Sequence, residues 1–124
     1  MRKAIGVVII KNGRILLVRK KKVWILPGGK PEIGESDMQC LFREVREELP
    51  QLVLQDPEYF SAFVGTTPHK GDQLQAEVYF AHANGDITPS AEVNKAEWVK
   101  NPEEYNLSDI TRKIVFFLRQ NGHL

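Results

Sequence analysis

A chain of 124 residues is long enough for one domain with a real hydrophobic core and too short for two. Its 17 Lys and Arg against 16 Asp and Glu leave no bulk charge to draw it to nucleic acid or an anionic membrane, so neither is expected as a partner. One cysteine, Cys40, excludes an internal disulfide, and no apolar run approaches the roughly 18 residues of a membrane span, so a cytoplasmic location is expected.

Ala4 to Ile10 (AIGVVII) is β-branched and almost continuously apolar, as in a strand buried on both faces. Asn12-Gly13 is a preferred pair for a tight turn and Ile15 to Val18 reads as the return strand, so residues 4 to 18 are expected to form one hairpin. A basic run, Arg19 to Lys22, leads into a short strand at Val23 to Leu26 and then into a Pro27-Gly28-Gly29 turn. Ser36 followed by Gln39 is a capping-box pattern, which places a helix start near Asp37. Leu52 to Leu54 and Tyr59 to Val64 read as two strands separated at Asp56-Pro57, and a polar loop runs from Thr66 to Asp72. Gln75 to His82 alternates as a strand and closes at Asn84-Gly85; Ala96 to Val99 is the last. Ser108 is placed to cap a final helix with Ile110, Ile114, Phe117 and Leu118 on one face and Gly122 at its end. Strands, helix, strands, helix predict a single α+β domain, residues 1–124, whose mixed sheet is covered by two helices.

The central helix carries the chemistry. At 100° per residue, Met38, Leu41, Phe42, Val45 and Leu49 form the core stripe, while Glu44, Glu47 and Glu48 form a second patch beside it. Like charges at these spacings cost about 0.2–0.5 kcal/mol per pair. Anions in the last helical turns cost about 0.3–1 kcal/mol each against the macrodipole. A divalent cation would offset both, and hard carboxylate oxygens suit Mg²⁺. The competing reading is a solvated acidic face paired by Arg43 and Arg46.

What tips the balance is the upstream context. Gly29, five residues to Glu35, then seven to Arg43-Glu44-Val45-Arg46-Glu47-Glu48 resembles the Nudix box, G-x5-E-x7-R-E-U-x-E-E-x-G-U, over Gly29 to Gln51. Two positions depart from it: Pro50 stands where the family has Gly, and Gln51 where it has an apolar residue. Proline forbids a left-handed helix exit and biases Leu49 out of the helical region, so a different exit is expected, with Leu52 taking the apolar role.

The resemblance implies a Nudix-type α/β/α sandwich with a mixed β-sheet, and hydrolysis of a phosphoanhydride with Mg²⁺, for which Mn²⁺ can substitute. By similarity, Glu44, Glu47 and Glu48 are metal ligands with the Gly28 carbonyl, and Arg43 and Glu35 form a supporting ion pair. Glu92, six residues before Trp98, is the candidate for a further ligand or base, with Glu77, Asp72 and Glu97 as rivals. Lys20 or Arg19 would contact phosphates, Lys30 is a further substrate candidate, and Asp109 falls where a base-recognising side chain is placed. His69, His82 and His123 show no metal spacing, and Cys40 reads as a packed or surface thiol. The implied partner is a small nucleotide, bound by a monomer or homodimer. Compact length favours a MutT-like enzyme that converts a free (deoxy)nucleoside triphosphate to monophosphate and pyrophosphate. Pyrophosphatases of ADP-ribose, to whose proline Pro68 is similar, or of another nucleoside diphosphate derivative are the alternative, and a non-catalytic nucleotide sensor the remote one.

Overall fold

The apolar runs sort into two four-stranded sheets in the computed structural model, which describes residues 1–67 and 70–124. In chain order the strands are β1 (Arg2–Val8), β2 (Ile10–Lys11), β3 (Arg14–Lys20), β4 (Val23–Ile25), β5 (Gly28–Gly29), β6 (Leu52–Thr66), β7 (Gln73–Gly85) and β8 (Val93–Val99). Helix α1 (Asp37–Glu48) lies between β5 and β6, and α2 (Asp109–Gln120) follows a short 3-10 turn at Pro102–Glu104. The first sheet runs β5-β1-β7-β6 and is mixed, because β1 is parallel to β7 and antiparallel to β5. In the second, β3 is central, flanked by β2 and β4 on one side and β8 on the other.

One expectation changes here. The Asn12-Gly13 turn does form, with φ of 54° and 74°, but it joins only the two residues of β2 to β3. Residues 2–8 belong to the other sheet, where β1 pairs with β7 from Arg2↔Leu74 to Val8↔Phe80. The physical reason is visible in the sequence itself: a strand apolar on both faces gains most where both faces are covered. The two strands expected at 52–54 and 59–64 are one edge strand, β6, with irregular pairing between Gln55 and Glu58 and again between Tyr59 and Ser61. Asp56 takes a φ of 51° at the first irregularity, and Pro57 is accommodated on an edge where no ladder N–H is required.

Alternation along the strands feeds two cores. Ile5, Val7, Leu16 and Val18 pack with Leu41, Val45 and Leu49 of α1. Val8, Ile15, Leu17 and Val78 pack with Ile110, Ile114 and Leu118 of α2. The result is the expected α/β/α sandwich, with the sheets as its middle layer. Phe42, assigned to the α1 core stripe, is instead 37% exposed, and Cys40 is buried in its place.

Both helices are capped as predicted. Gln39 N–H donates to Ser36 Oγ at 3.1 Å and Ser36 N–H to Gln39 Oε1 at 2.9 Å. At the other end, Leu49 leaves the helix at φ −137°, ψ 73°, consistent with the restraint that Pro50 imposes. Leu52 is buried in the α1 core, taking the apolar role that Gln51 cannot. Ser108 caps α2 through Thr111 N–H, and the C-cap is Asn121, with Gly122 one residue beyond at φ 77°. Among the described residues no helix is long and apolar enough to cross a membrane. Pro68 and His69, and the expectations attached to them, lie outside the described residues.

Candidate active site

The site begins with two glycines that have no room for a side chain. Gly28 has φ 146°, and a Cβ there would fall 2.0 Å from the Ile5 carbonyl oxygen. A Cβ on Gly29 would fall 2.3 Å from the Glu44 carboxyl carbon. The turn is thereby pressed between β1 and α1, and the Glu44 and Glu48 carboxylates reach its backbone. Glu48 is 2% exposed, and its Oε1 accepts the Gly28 N–H at 3.1 Å. Its Oε2 is buried with no hydrogen bond, although the Lys20 ammonium approaches to 3.2 Å. Burial pushes the Glu48 carboxyl up to about 7, against the pull of Lys20. Burial raises Glu44 as well.

Arg43 is the second anchor. Its Nε and Nη2 donate to the two oxygens of Glu35 at 2.6 and 2.9 Å, and Nη2 also reaches the Lys30 carbonyl at 3.1 Å. Nη1 reaches Glu44 at 2.9 Å and Glu47 at 3.2 Å. The guanidinium holds the Glu35 carboxyl down at about 2, and its own pKa is raised. This fork ties the turn to α1 through charge-assisted bonds.

Glu92 is 85% exposed at the side chain and 3.9 Å from Lys20 Nζ, so Lys20 stands between it and Glu48. Its loop is tied to the same place, because Ser90 N–H donates to the Glu48 backbone carbonyl at 2.9 Å. The rivals have other partners: Glu77 accepts from Tyr59 and Gln75, and Asp72 from Thr67 and Arg2. Glu97 lies within β8, paired in register with Leu17. Arg19 donates to Asn94 at 2.6 Å and is not part of the cavity wall described next. Asp109 also lies outside that wall: it accepts the Thr66 N–H at 2.9 Å and pairs with Lys113, holding the end of β6 against α2.

A cavity of about 430 Å³ opens beside the Gly-Gly turn. Leu26, Val78, Ile110 and Ile114 give it apolar walls, and Ser108 and Thr111 add two hydroxyls bonded to each other at 2.8 Å. Arg2, Lys20, Lys30 and Lys70 also line it. Lys30 is lowered first by burial, then by Arg2 and Lys70, so these cations lie within electrostatic reach of one another. Arg2, Lys70 and Ser90 carried no sequence signal; only folding brings the first two to the cavity and Ser90 to the end of α1.

Among the described residues no three carboxylate, imidazole or thiol groups are already gathered around one point. Arg43 engages Glu44 and Glu47, while Lys20 faces Glu48. The donors still suit a hard divalent cation: carboxylate oxygens beside a glycine backbone, one of them buried without a hydrogen bond.

An acidic helix pressed on a glycine turn, beside a cationic cavity in an α/β/α sandwich, is a site suited to a phosphate-bearing substrate. The chain belongs to the Nudix family, whose NUDIX domain model matches residues 1–116. It is a Nudix pyrophosphohydrolase, a nucleotide hydrolase of a family that generally uses divalent metals. It is 36% identical over 111 residues to "Nucleoside triphosphatase NudI" of Salmonella arizonae, covering 82% of this chain and 77% of that protein. A MutT NUDIX hydrolase from Burkholderia pseudomallei superposes with a TM-score of 0.81 at 27% identity, covering 93% of this chain and 95% of the other. A MutT protein from Methanosarcina mazei Go1 gives 0.78 at 25% identity, covering 97% and 94%.

Proposed function

We propose that this hydrolase converts a free (deoxy)nucleoside triphosphate to the monophosphate and pyrophosphate with Mg²⁺, for which Mn²⁺ can substitute. The water oxygen bonds to a phosphorus of the α–β phosphoanhydride and the bond from that phosphorus to the bridging oxygen breaks. The monophosphate and pyrophosphate separate with release of one proton. The observation that carries the reading is the buried, unbonded Glu48 Oε2 beside a cavity lined by Arg2, Lys20, Lys30 and Lys70. Relatives named nucleoside triphosphatase support the triphosphate.

Glu44, Glu47 and Glu48, with the Gly28 carbonyl, are the ligands in this reading. The bound cation supplies neutralisation of phosphate oxygens and acidification of water. Arg43 fixes the turn against α1 and orients Glu44 and Glu47. Lys20 and Lys30 face the phosphates, and Glu92, exposed at the rim, is the further ligand or base. Arg19 donates to Asn94 outside the cavity wall, so this reading assigns the phosphates to Lys20 rather than to it. Asp109 accepts the Thr66 N–H outside the cavity wall, and no base contact is assigned to it in this reading.

The test is a panel of nucleoside triphosphates, ADP-ribose and nucleotide sugars, with Mg²⁺ and product identification. Monophosphate plus pyrophosphate from a triphosphate, abolished in Glu48→Gln, is the expected result. Faster cleavage of ADP-ribose or a nucleotide sugar would replace the triphosphate reading. Nucleotide binding without turnover of any member would remove it.

A further inference from the structure

Lys20 sits at the end of β3, with its side chain 24% exposed and lining the cavity. Its ammonium lies 3.2 Å from Glu48 Oε2 and 3.9 Å from Glu92 Oε2. Two features make this more than a surface ion pair. Glu48 Oε2 is buried, and the ammonium is the one cationic group within ion-pair distance of it among the described residues. The pair is also poorly made, since the approach leaves Oε2 without a hydrogen bond. A well-formed buried ion pair would satisfy both charges; this one leaves an oxygen of Glu48 without a hydrogen bond.

We propose that Lys20 is a built-in competitor for the cation held by α1, and that substrate phosphates relieve the competition by drawing the ammonium into the cavity. The inference rests on the reading of Glu48 as a metal ligand. In the metal-free protein Lys20 neutralises Glu48 and bridges it to Glu92. A divalent cation beside Glu48 repels the ammonium, and the cavity, which Lys20 already lines, is where a phosphate would receive it. Cation and nucleotide then favour each other through one side chain, and the coupling is reciprocal.

The variant is Lys20→Met, which keeps the apolar stem and removes the charge. Binding of Mn²⁺ alone is measured by electron paramagnetic resonance at mildly alkaline pH, so that a proton does not replace the ammonium on Glu48. Lys20→Met should bind Mn²⁺ at least about fivefold more tightly than wild type, the low end of typical coupling factors. Its nucleotide KM should rise while the Mg²⁺ concentration for half-maximal rate falls. A residue that merely supports the fold would weaken both, so shifts in opposite directions are the signature. Lys20→Arg, which restores a cation, should return Mn²⁺ affinity toward wild type. Glu48→Gln separates the two ideas. If it leaves Mn²⁺ affinity unchanged, the ligand reading itself fails. If it weakens Mn²⁺ while Lys20→Met binds no tighter than wild type, the competitor role alone is overturned.

Discussion

The backbone carbonyl of Glu48, at the last residue of α1, accepts the N–H of Ser90 at 2.9 Å. In a continued helix that carbonyl would receive Leu52 N–H, but Leu52 donates to Leu49 instead at 3.0 Å. The altered exit at Pro50 thus leaves Glu48 open to the loop that carries Glu92. Ser90→Pro removes the donor and orphans a buried acceptor, which costs about 1–3 kcal/mol. Calorimetry should show the midpoint lowered by several degrees, and activity should fall by about tenfold or more as Glu92 loses its place. Full activity in a folded Ser90→Pro protein would detach Glu92 from the mechanism.

Much of this architecture is legible in the sequence. The capping box at Ser36 and Gln39, the core stripe Leu41, Val45 and Leu49, and Ser108 as cap are local patterns, and the structure reproduces them. What failed was pairing. Asn12-Gly13 predicts a turn well, but nothing local says that β1 leaves that hairpin for β7, more than 60 residues on. The site divides the same way. Glu44, Glu47 and Glu48 could be read from spacing on one helix, whereas the Lys20–Glu48 contact and the Ser90 tie join separate elements. Arg19 and Lys20 adjoin in sequence, yet strand alternation sends Arg19 to Asn94 and Lys20 to Glu48.

The two glycines should separate stability from chemistry. At Gly29 an added methyl meets the end of the Glu44 side chain, which can swing aside, so Gly29→Ala should fold with nearly wild-type stability. It should lose about a hundredfold in kcat, as expected when a reacting group moves by roughly 1 Å. At Gly28 the added methyl meets the Ile5 carbonyl, which cannot move without β1, and the φ is positive. Gly28→Ala should therefore lose about 1–3 kcal/mol in urea denaturation. Equal stability losses in the two variants would contradict the packing described for the turn.

Arg43 should not tolerate lysine. The guanidinium meets Glu35 with two nitrogens while a third reaches Glu44 and Glu47, and an ammonium cannot make that fork. Arg43→Lys and Arg43→Ala should both shift the urea midpoint downward by a similar amount and depress kcat. The acid limb adds a second readout. Glu35 is held at about 2, below its ordinary value of 4.5, so its stabilisation is present above pH 4.5 and lost as pH falls toward 2. Either variant should flatten that loss; a lysine variant with wild-type acid stability would show the fork to be dispensable.

Glu48 predicts the opposite sign on the other side of its titration. Its folded carboxyl sits at about 7 against an ordinary 4.5, because burial disfavours the charged form. The unfolded chain therefore releases this proton first as pH rises, and folding stability falls between pH 4.5 and 7 before levelling off. The contribution is present below the unfolded value and lost as pH passes the folded one, by up to about 3 kcal/mol. In metal-free protein, Glu48→Gln should abolish that fall while keeping an acceptor for Gly28 N–H, so the variant should be the more stable of the two at pH 8. Added Mg²⁺ should then raise the wild-type midpoint and leave Glu48→Gln nearly unmoved, since a cation stabilises only the folded state that binds it. Parallel stability curves for the two proteins from pH 4.5 to 8, with and without Mg²⁺, would show that the buried carboxylate is neither strained nor a ligand.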